Sequence, residues 1–379
     1  MPVQRLSRVG TLGIAPPPDI DPEMLRLENV DTDVPPPAAA VSATRDAVGS
    51  AAANSYLPFT GLPALRAAVA ERLARQTGRA YDPDGEVVIT SGASAGLLSA
   101  LLAMVDPGDE VVVTDPTYPG LVNRARLAGA VVRQVPLRVV DGRWRTDPDA
   151  LSAAVGPATR VLLLANPAMP TGLVLSDGEW RTVAEVCERT GAWLLYDAAM
   201  ERILFDGIRY RHPAAEPELR ERTVTVGTAS KEYRMVGWRV GWVAGPRGIL
   251  TDITSTVVYN TLVPSGFAQH GVLAALTGPD DGVAAAVAEW QRRRDTIVAQ
   301  LAGYPLVLPD GGWSILLDAT ACGVEPGDLS TRLRGSSRVA ATPMTAWGER
   351  VAPRYLRLVY SREPVARLAT LRDRFESVL

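Results

Sequence analysis

The sequence predicts an α/β protein. Its core is a doubly wound, mostly parallel sheet of about seven strands in a large domain, with a smaller α+β domain beside it. Three observations carry this. Between Glu86 and Gly245, short apolar runs alternate with stretches of helical length. Several of those runs end in small or polar residues, at the strand ends where open α/β sheets bind ligands. No G-x-G-x-x-G opens a helix, which argues against a dinucleotide domain.

In chain order, residues 1 to about 40 are proline-rich and read as an extended arm with little regular structure. Ala38 to Val48 reads as a helix. Pro58 and Gly61 punctuate a loop, and Pro63 opens a helix to about Arg75. The strands follow: Glu86–Thr90, Val111–Thr114, Val131–Leu137, Arg160–Ala165, Ala192–Tyr196, Thr223–Gly227 and Val240–Gly245. The small-residue turn SGASAG at Ser91–Gly96 leads into a helix to about Met104. Unobstructed backbone N–H groups at such a helix start form an anion site, with Ala93 and Ser94 as contacts. From Ala284 a long helix leads out of the sheet region. The expected division is residues 1–45 as the arm and part of the small domain, 46–285 as the large domain, and 286–379 as the small domain.

The chain has 379 residues, enough for a large core and a second domain. Its net charge of −3 gives no electrostatic reason to expect nucleic acid. No apolar run is long enough to span a membrane, and the N-terminus lacks a signal-peptide core. Cys187 and Cys322 are isolated and without metal spacing, so a cytoplasmic setting with free thiols is expected. His212 and His270 have no ligand partners in sequence and read as structural; no metal is expected.

Lys231 is the only lysine, against 38 arginines. Arginine supplies a plain positive charge equally well, but it cannot lose its proton and attack a carbonyl. A lone lysine is therefore either a chance survivor on a solvated face or a Schiff-base nucleophile. Its neighbours favour the second. Thr228 and Ser230 lie in the turn before it, and Arg239 follows eight residues later in GWRVGWVAG. This set suits an aldehyde cofactor that also carries a phosphate.

The stretch TASK…GWRVG resembles the lysine motif of class I aminotransferases, fold-type-I pyridoxal-phosphate (PLP) enzymes, usually written S-x-S-K…G-x-R-x-G. The resemblance implies that Lys231 forms the Schiff base with PLP, and that Thr228, Ser230 and Arg239 hold the phosphate. Further motifs occur in the family's order. YLPFTGLPALR, from Tyr56, resembles a segment whose tyrosine reaches the partner's cofactor phosphate in a homodimer. DPTYPG places Tyr118 against the pyridine ring. NPAMPTG, from Asn166, resembles N-P-x-N-P-T-G. DAAM resembles D-E-x-Y and assigns Asp197 to the pyridine nitrogen, where it makes the ring a stronger electron sink. YLRLVY places Arg357 on the substrate's α-carboxylate, which a planar guanidinium fork suits. LENVDTDVPPP resembles the N-terminal substrate-lining segment, with Val30 where glycine is usual. The resemblance covers roughly residues 25 to 375.

Two departures fall on one cofactor atom. The family's second asparagine and its D-E-x-Y tyrosine both donate to the phenolic oxygen. Here those positions are Met169 and Met200, soft thioethers without a donor. Ala198 also replaces the usual glutamate. The resemblance thus implies an enzyme acting on an L-amino acid through an external aldimine and a quinonoid, aminotransfer being the family's usual activity. β- or γ-elimination, replacement or cyclisation in specialised metabolism is the close alternative. A non-catalytic PLP-binding sensor would need a DNA-binding module, which the proline-rich arm does not supply.

Overall fold

The computed structural model describes residue 9 and residues 21–379. Most of the expected N-terminal arm, residues 1–8 and 10–20, lies outside the described residues. The large sheet has seven strands. They are β1 (Val87–Thr90), β2 (Glu110–Asp115), β3 (Val131–Pro136), β4 (Thr159–Ala165), β5 (Trp193–Asp197), β6 (Thr223–Thr228) and β7 (Gly241–Ala244). Their spatial order is β1-β7-β6-β5-β4-β2-β3, and only β7 runs antiparallel to its neighbours. The run VLLL inside β4 is buried throughout, as a central parallel strand covered on both faces requires. β3, at the edge, instead exposes Val131 and Arg133. All seven expected strands are present, with ends that differ by a residue or so.

Local chemistry sets the helix ends. Pro63 occupies the first turn of the helix Pro63–Thr77, where its missing N–H costs nothing. Ser176 and Glu179 form a reciprocal capping box at the start of the helix Asp177–Thr190. The helix Ala38–Val48 matches its expected bounds and packs along the helix Gly266–Thr277.

A second sheet has four strands: β8 (Leu306–Val307), β9 (Ser314–Asp318), β10 (Thr342–Pro343) and β11 (Tyr355–Val359). Their order is β8-β9-β11-β10, all antiparallel. Leu25 and Leu27 are fully buried in the core beside this sheet, together with Trp290, Trp313 and Phe375. Leu25–Arg26 also pairs with Val339–Ala340. The start of the described chain is thereby tied to its end. Alternation along this short strand turns Arg26 and Glu28 the other way, toward the cleft between the two sheets.

Candidate active site

A cavity of about 800 Å³ opens at the carboxyl ends of the large sheet, walled on one side by the small sheet. It brings together Ala93, Ser94, Tyr118, Met169, Asp197, Met200, Thr228, Ser230, Lys231, Arg239 and Arg357. These residues span more than 260 positions of sequence, from Ala93 to Arg357.

At one end, β6 stops at Thr228 and the chain turns. Thr228 Oγ1 accepts from Ser230 N at 3.1 Å and donates to Val240 O at 3.1 Å. Arg239 Nη1 donates to Ser230 Oγ at 3.1 Å. The helix Gly92–Met104 begins beside this turn. Gly92 holds a φ of +76°, and a Cβ there would stand 2.5 Å from Arg239 Nη2. Only glycine leaves the guanidinium its place at the helix N-terminus. Two hydroxyls, one guanidinium and the free N–H groups of Ala93 and Ser94 thus surround one volume, which is a cradle for a phosphate.

Lys231 follows that turn. Its Nζ donates to Val30 O at 3.0 Å and lies 4.5 Å from the centroid of the Trp313 ring. Burial lowers its pKa to about 8, with Arg239 and Arg357 adding to the effect and Asp31 and Asp197 opposing it. The amine therefore titrates near neutrality. Asp197, at the end of β5, accepts from Ala199 N at 3.1 Å. Burial raises its pKa to about 6, against the pull of that N–H, Arg124 and Lys231.

Tyr118 forms the next wall, its ring 5.9 Å from that of Trp347. Arg357 lies beneath Trp347, with Cζ 4.3 Å from the ring centroid. Its Nη2 donates to Glu28 O at 2.9 Å and to Thr342 Oγ1 at 3.1 Å, while Nε and Nη1 are buried without a partner. Burial lowers even this guanidinium to about 10. A buried guanidinium with donors left unpaired, at the wall of the cavity, is a group suited to an anion.

Two expected residues lie elsewhere. Asn166 is fully buried behind the cavity wall; its Oδ1 accepts from Leu175 N at 2.9 Å and its Nδ2 has no partner. Tyr56 is 78% exposed and edge-on to Phe59, outside the cavity of its own chain. His212 is structural: its Nδ1 accepts from Ala214 N at 3.1 Å, and burial lowers its pKa to about 4.

Sequence reasoning missed Arg124, Trp347, Trp313 and the Val30 carbonyl. Arg124 lines the cavity and donates to Ser94 O and Gly120 O at 3.1 and 2.7 Å. One arginine among 38 carried no signal. Trp347 lies in the stretch ATPMTAWG, between β10 and β11, and nothing in the sequence sets its ring against both Tyr118 and Arg357.

The family described as Aminotransferase class I and II matches residues 22–374. An arginine–pyruvate transaminase of Pseudomonas aeruginosa is 32% identical over 347 residues, covering 90% of this chain and 87% of its own. A probable N-succinyldiaminopimelate aminotransferase of Mycobacterium tuberculosis is 34% identical over 321 residues, 84% of this chain and 80% of its own. The solved N-succinyldiaminopimelate aminotransferase from Mycobacterium tuberculosis superposes with a TM-score of 0.89 at 29% identity, covering 94% of both chains. The aromatic aminotransferase of Pyrococcus horikoshii gives 0.91 at 28% identity, covering 99% of this chain and 97% of its own.

Proposed function

The chain belongs to the class I and II aminotransferases, and from that premise we propose that it is a homodimeric, cytoplasmic enzyme that removes the amino group of an α-amino acid, with Lys231 as cofactor anchor and proton carrier. Enzymes of this family depend on PLP. The cavity fits that cofactor. The cradle at Ala93, Ser94, Thr228, Ser230 and Arg239 would take its phosphate, Asp197 its pyridine nitrogen and Tyr118 its ring face. When bound, PLP supplies the electron sink that makes the substrate's α-proton removable.

The observation that carries the reading is the pairing, in one cavity, of the Lys231 amine, lowered to about 8, with the buried Arg357 guanidinium. Arg357 would hold the carboxylate by its positive charge and hydrogen bonds. Lys231 would hold the cofactor's aldehyde, and with a pKa of about 8 its amine can take up or give back a proton at Nζ near neutral pH. It can accept the α-proton and return it elsewhere. Asp197, with a pKa near 6, is mostly ionised at neutral pH and can hold a pyridinium N–H.

A homodimer is supported by Tyr56. Tyr56 at 78% exposure and Phe59 at 47% present two adjoining aromatic rings at the surface, where a second copy could cover them. Their loop adjoins the helix Gly266–Thr277 through Leu62 N, which donates to Gln269 Oε1 at 2.8 Å. That helix exposes Phe267, so the two elements form one apolar face. Among the described residues no helix is long and apolar enough to cross a membrane.

A second reading, a non-transaminating reaction of specialised metabolism, rests on Met169 and Met200. Both line the cavity, and neither offers a donor to the cofactor's phenolic oxygen. The deciding experiment is a panel of L-amino acids with pyruvate, scoring 2-oxo acid and alanine against elimination products. Stoichiometric alanine supports aminotransfer; 2-oxo acid and ammonia without alanine supports the second reading. Arg357→Lys keeps the charge and loses the fork. It should weaken substrate binding by on the order of 2–5 kcal/mol and leave bound cofactor unchanged.

A further inference from the structure

Asp115 ends β2 and is 1% exposed, yet it takes no part in the large sheet's chemistry. Its carboxylate faces the loop between β10 and β11. Oδ2 accepts from the backbone N–H groups of Glu349, Arg350 and Val351 at 3.0, 2.7 and 3.0 Å. Oδ1 accepts from Ala352 N at 3.0 Å. Four consecutive N–H groups converging on one carboxylate form a nest, an arrangement selective for an anion. The approach is close: a Cβ on Gly348 would lie 1.8 Å from Asp115 Oδ1. Two residues on, Thr117 N donates to Trp347 O at 2.9 Å. The chain then reaches Tyr118.

This clasp joins the two sheets at one point, and that point is Trp347. Its indole leans on Tyr118 on one side and covers the Arg357 guanidinium on the other. The Trp347 ring meets both groups, and its backbone is pinned by Thr117 N on its carbonyl and by the Asp115 clasp two residues on. Among the described residues the Arg357 side chain has two hydrogen-bond anchors, Glu28 O and Thr342 Oγ1, both on Nη2, and the Trp347 ring lies over the rest of the guanidinium.

We infer that Asp115 is a positioning residue for the substrate's carboxylate site: its clasp on residues 349–352 holds Trp347 so that the indole fixes the Arg357 guanidinium at the cavity wall. This rests on Arg357 as the carboxylate clamp. Asp115 touches no substrate. It acts through the loop backbone and the indole, so its loss should weaken carboxylate binding and leave the phosphate cradle alone.

The test uses the PLP-loaded protein and two carboxylates without an amine, propionate and 3-phenylpropionate. Their dissociation constants are read from the change in cofactor absorbance. Asp115→Asn replaces one acceptor oxygen by an NH2 that faces the same N–H groups. Gly348→Ala displaces the loop with Asp115 intact. Each should weaken both carboxylates by about tenfold or more, since misplacement by about 1 Å costs on the order of that or beyond. The cofactor's own dissociation constant should stay within about twofold of wild type. In a Trp347→Ala background, Asp115→Asn should add no further loss. Wild-type carboxylate affinity in either single variant would overturn the inference, as would an undiminished effect without Trp347. If neither variant yields folded protein, Trp347→Leu alone must weaken carboxylates, and unchanged affinity there overturns it equally. The two readings fail differently. Arg357→Lys with normal carboxylate affinity sinks the clamp itself, whereas a weakened Arg357→Lys beside a normal Asp115→Asn sinks only the positioning role.

Discussion

Replacing Arg72 by methionine tests how the lysine turn is held. Arg72 is 9% exposed, and its Nη2 bridges two buried carboxylates, Glu201 and Glu232. Glu232 directly follows Lys231, and Glu201 directly follows Met200. Gln76 Nε2 and Tyr210 OH donate to Glu201 at 2.7 and 2.8 Å; Arg202 N donates to Glu232 at 3.0 Å. Burial drives both acids toward the neutral form. Arg72, with Gln76, nevertheless holds Glu201 below the ordinary glutamate value of 4.5, while Glu232 stays above it. One guanidinium cannot fully hold down two carboxylates. Removing it leaves both without their cation, so about 3–5 kcal/mol of stability should be lost at pH 7. The sign with pH is the sharper readout. In the wild type, Glu201 contributes stability above pH 4.5 that is lost on acidification, and Glu232 acts in the opposite sense. In Arg72→Met both acids are raised, so the variant's deficit should grow as pH climbs from 4.5 toward 7. Urea denaturation of the two proteins at pH 5, 6 and 7 measures this. A deficit constant across that range, or one that shrinks with rising pH, would refute the ion-pair argument.

Further outcomes are expected. PLP capture by cofactor-free protein should accelerate as pH rises through about 8, where Lys231 loses its proton. Borohydride reduction should then place the pyridoxyl group on Lys231, and Lys231→Ala should show no capture at any pH. The same lowered pKa should make the cofactor-free fold gain stability with pH between about 8 and the ordinary 10.5, since the unfolded chain binds more protons there. Sedimentation should find a dimer, with Tyr56→Phe weakening cofactor retention in active dimers; a fully active monomer would contradict this. Met169→Asn with Met200→Tyr should shift the bound cofactor's visible absorbance pKa downward and raise aminotransfer to pyruvate. Unchanged titration would show that the two thioethers do not face the phenolic oxygen.

What was legible in the sequence was what side-chain chemistry makes singular. Lys231 stood out because it is the single lysine beside 38 arginines, so a candidate for a deprotonatable side-chain amine had no competitors. Asp197, Tyr118 and Arg357 were found through local stretches, each on or just after a strand that periodicity had already located. The large sheet was readable because its buried parallel strands are near-continuous apolar runs. The missing parts are those whose meaning lies in distance. The Asp115 clasp joins residues 235 apart through backbone N–H groups, which every non-proline residue carries. The Lys231–Val30 bond is of the same kind: the backbone carbonyl, not the side chain, meets the amine. Arg72 is invisible for the converse reason. Its two acids lie 129 and 160 positions away, and an abundant residue type gives no hint of which copy is buried. Recognition of this site from sequence thus follows scarcity, and its tuning, carried by backbone groups and common arginines, follows only from the fold.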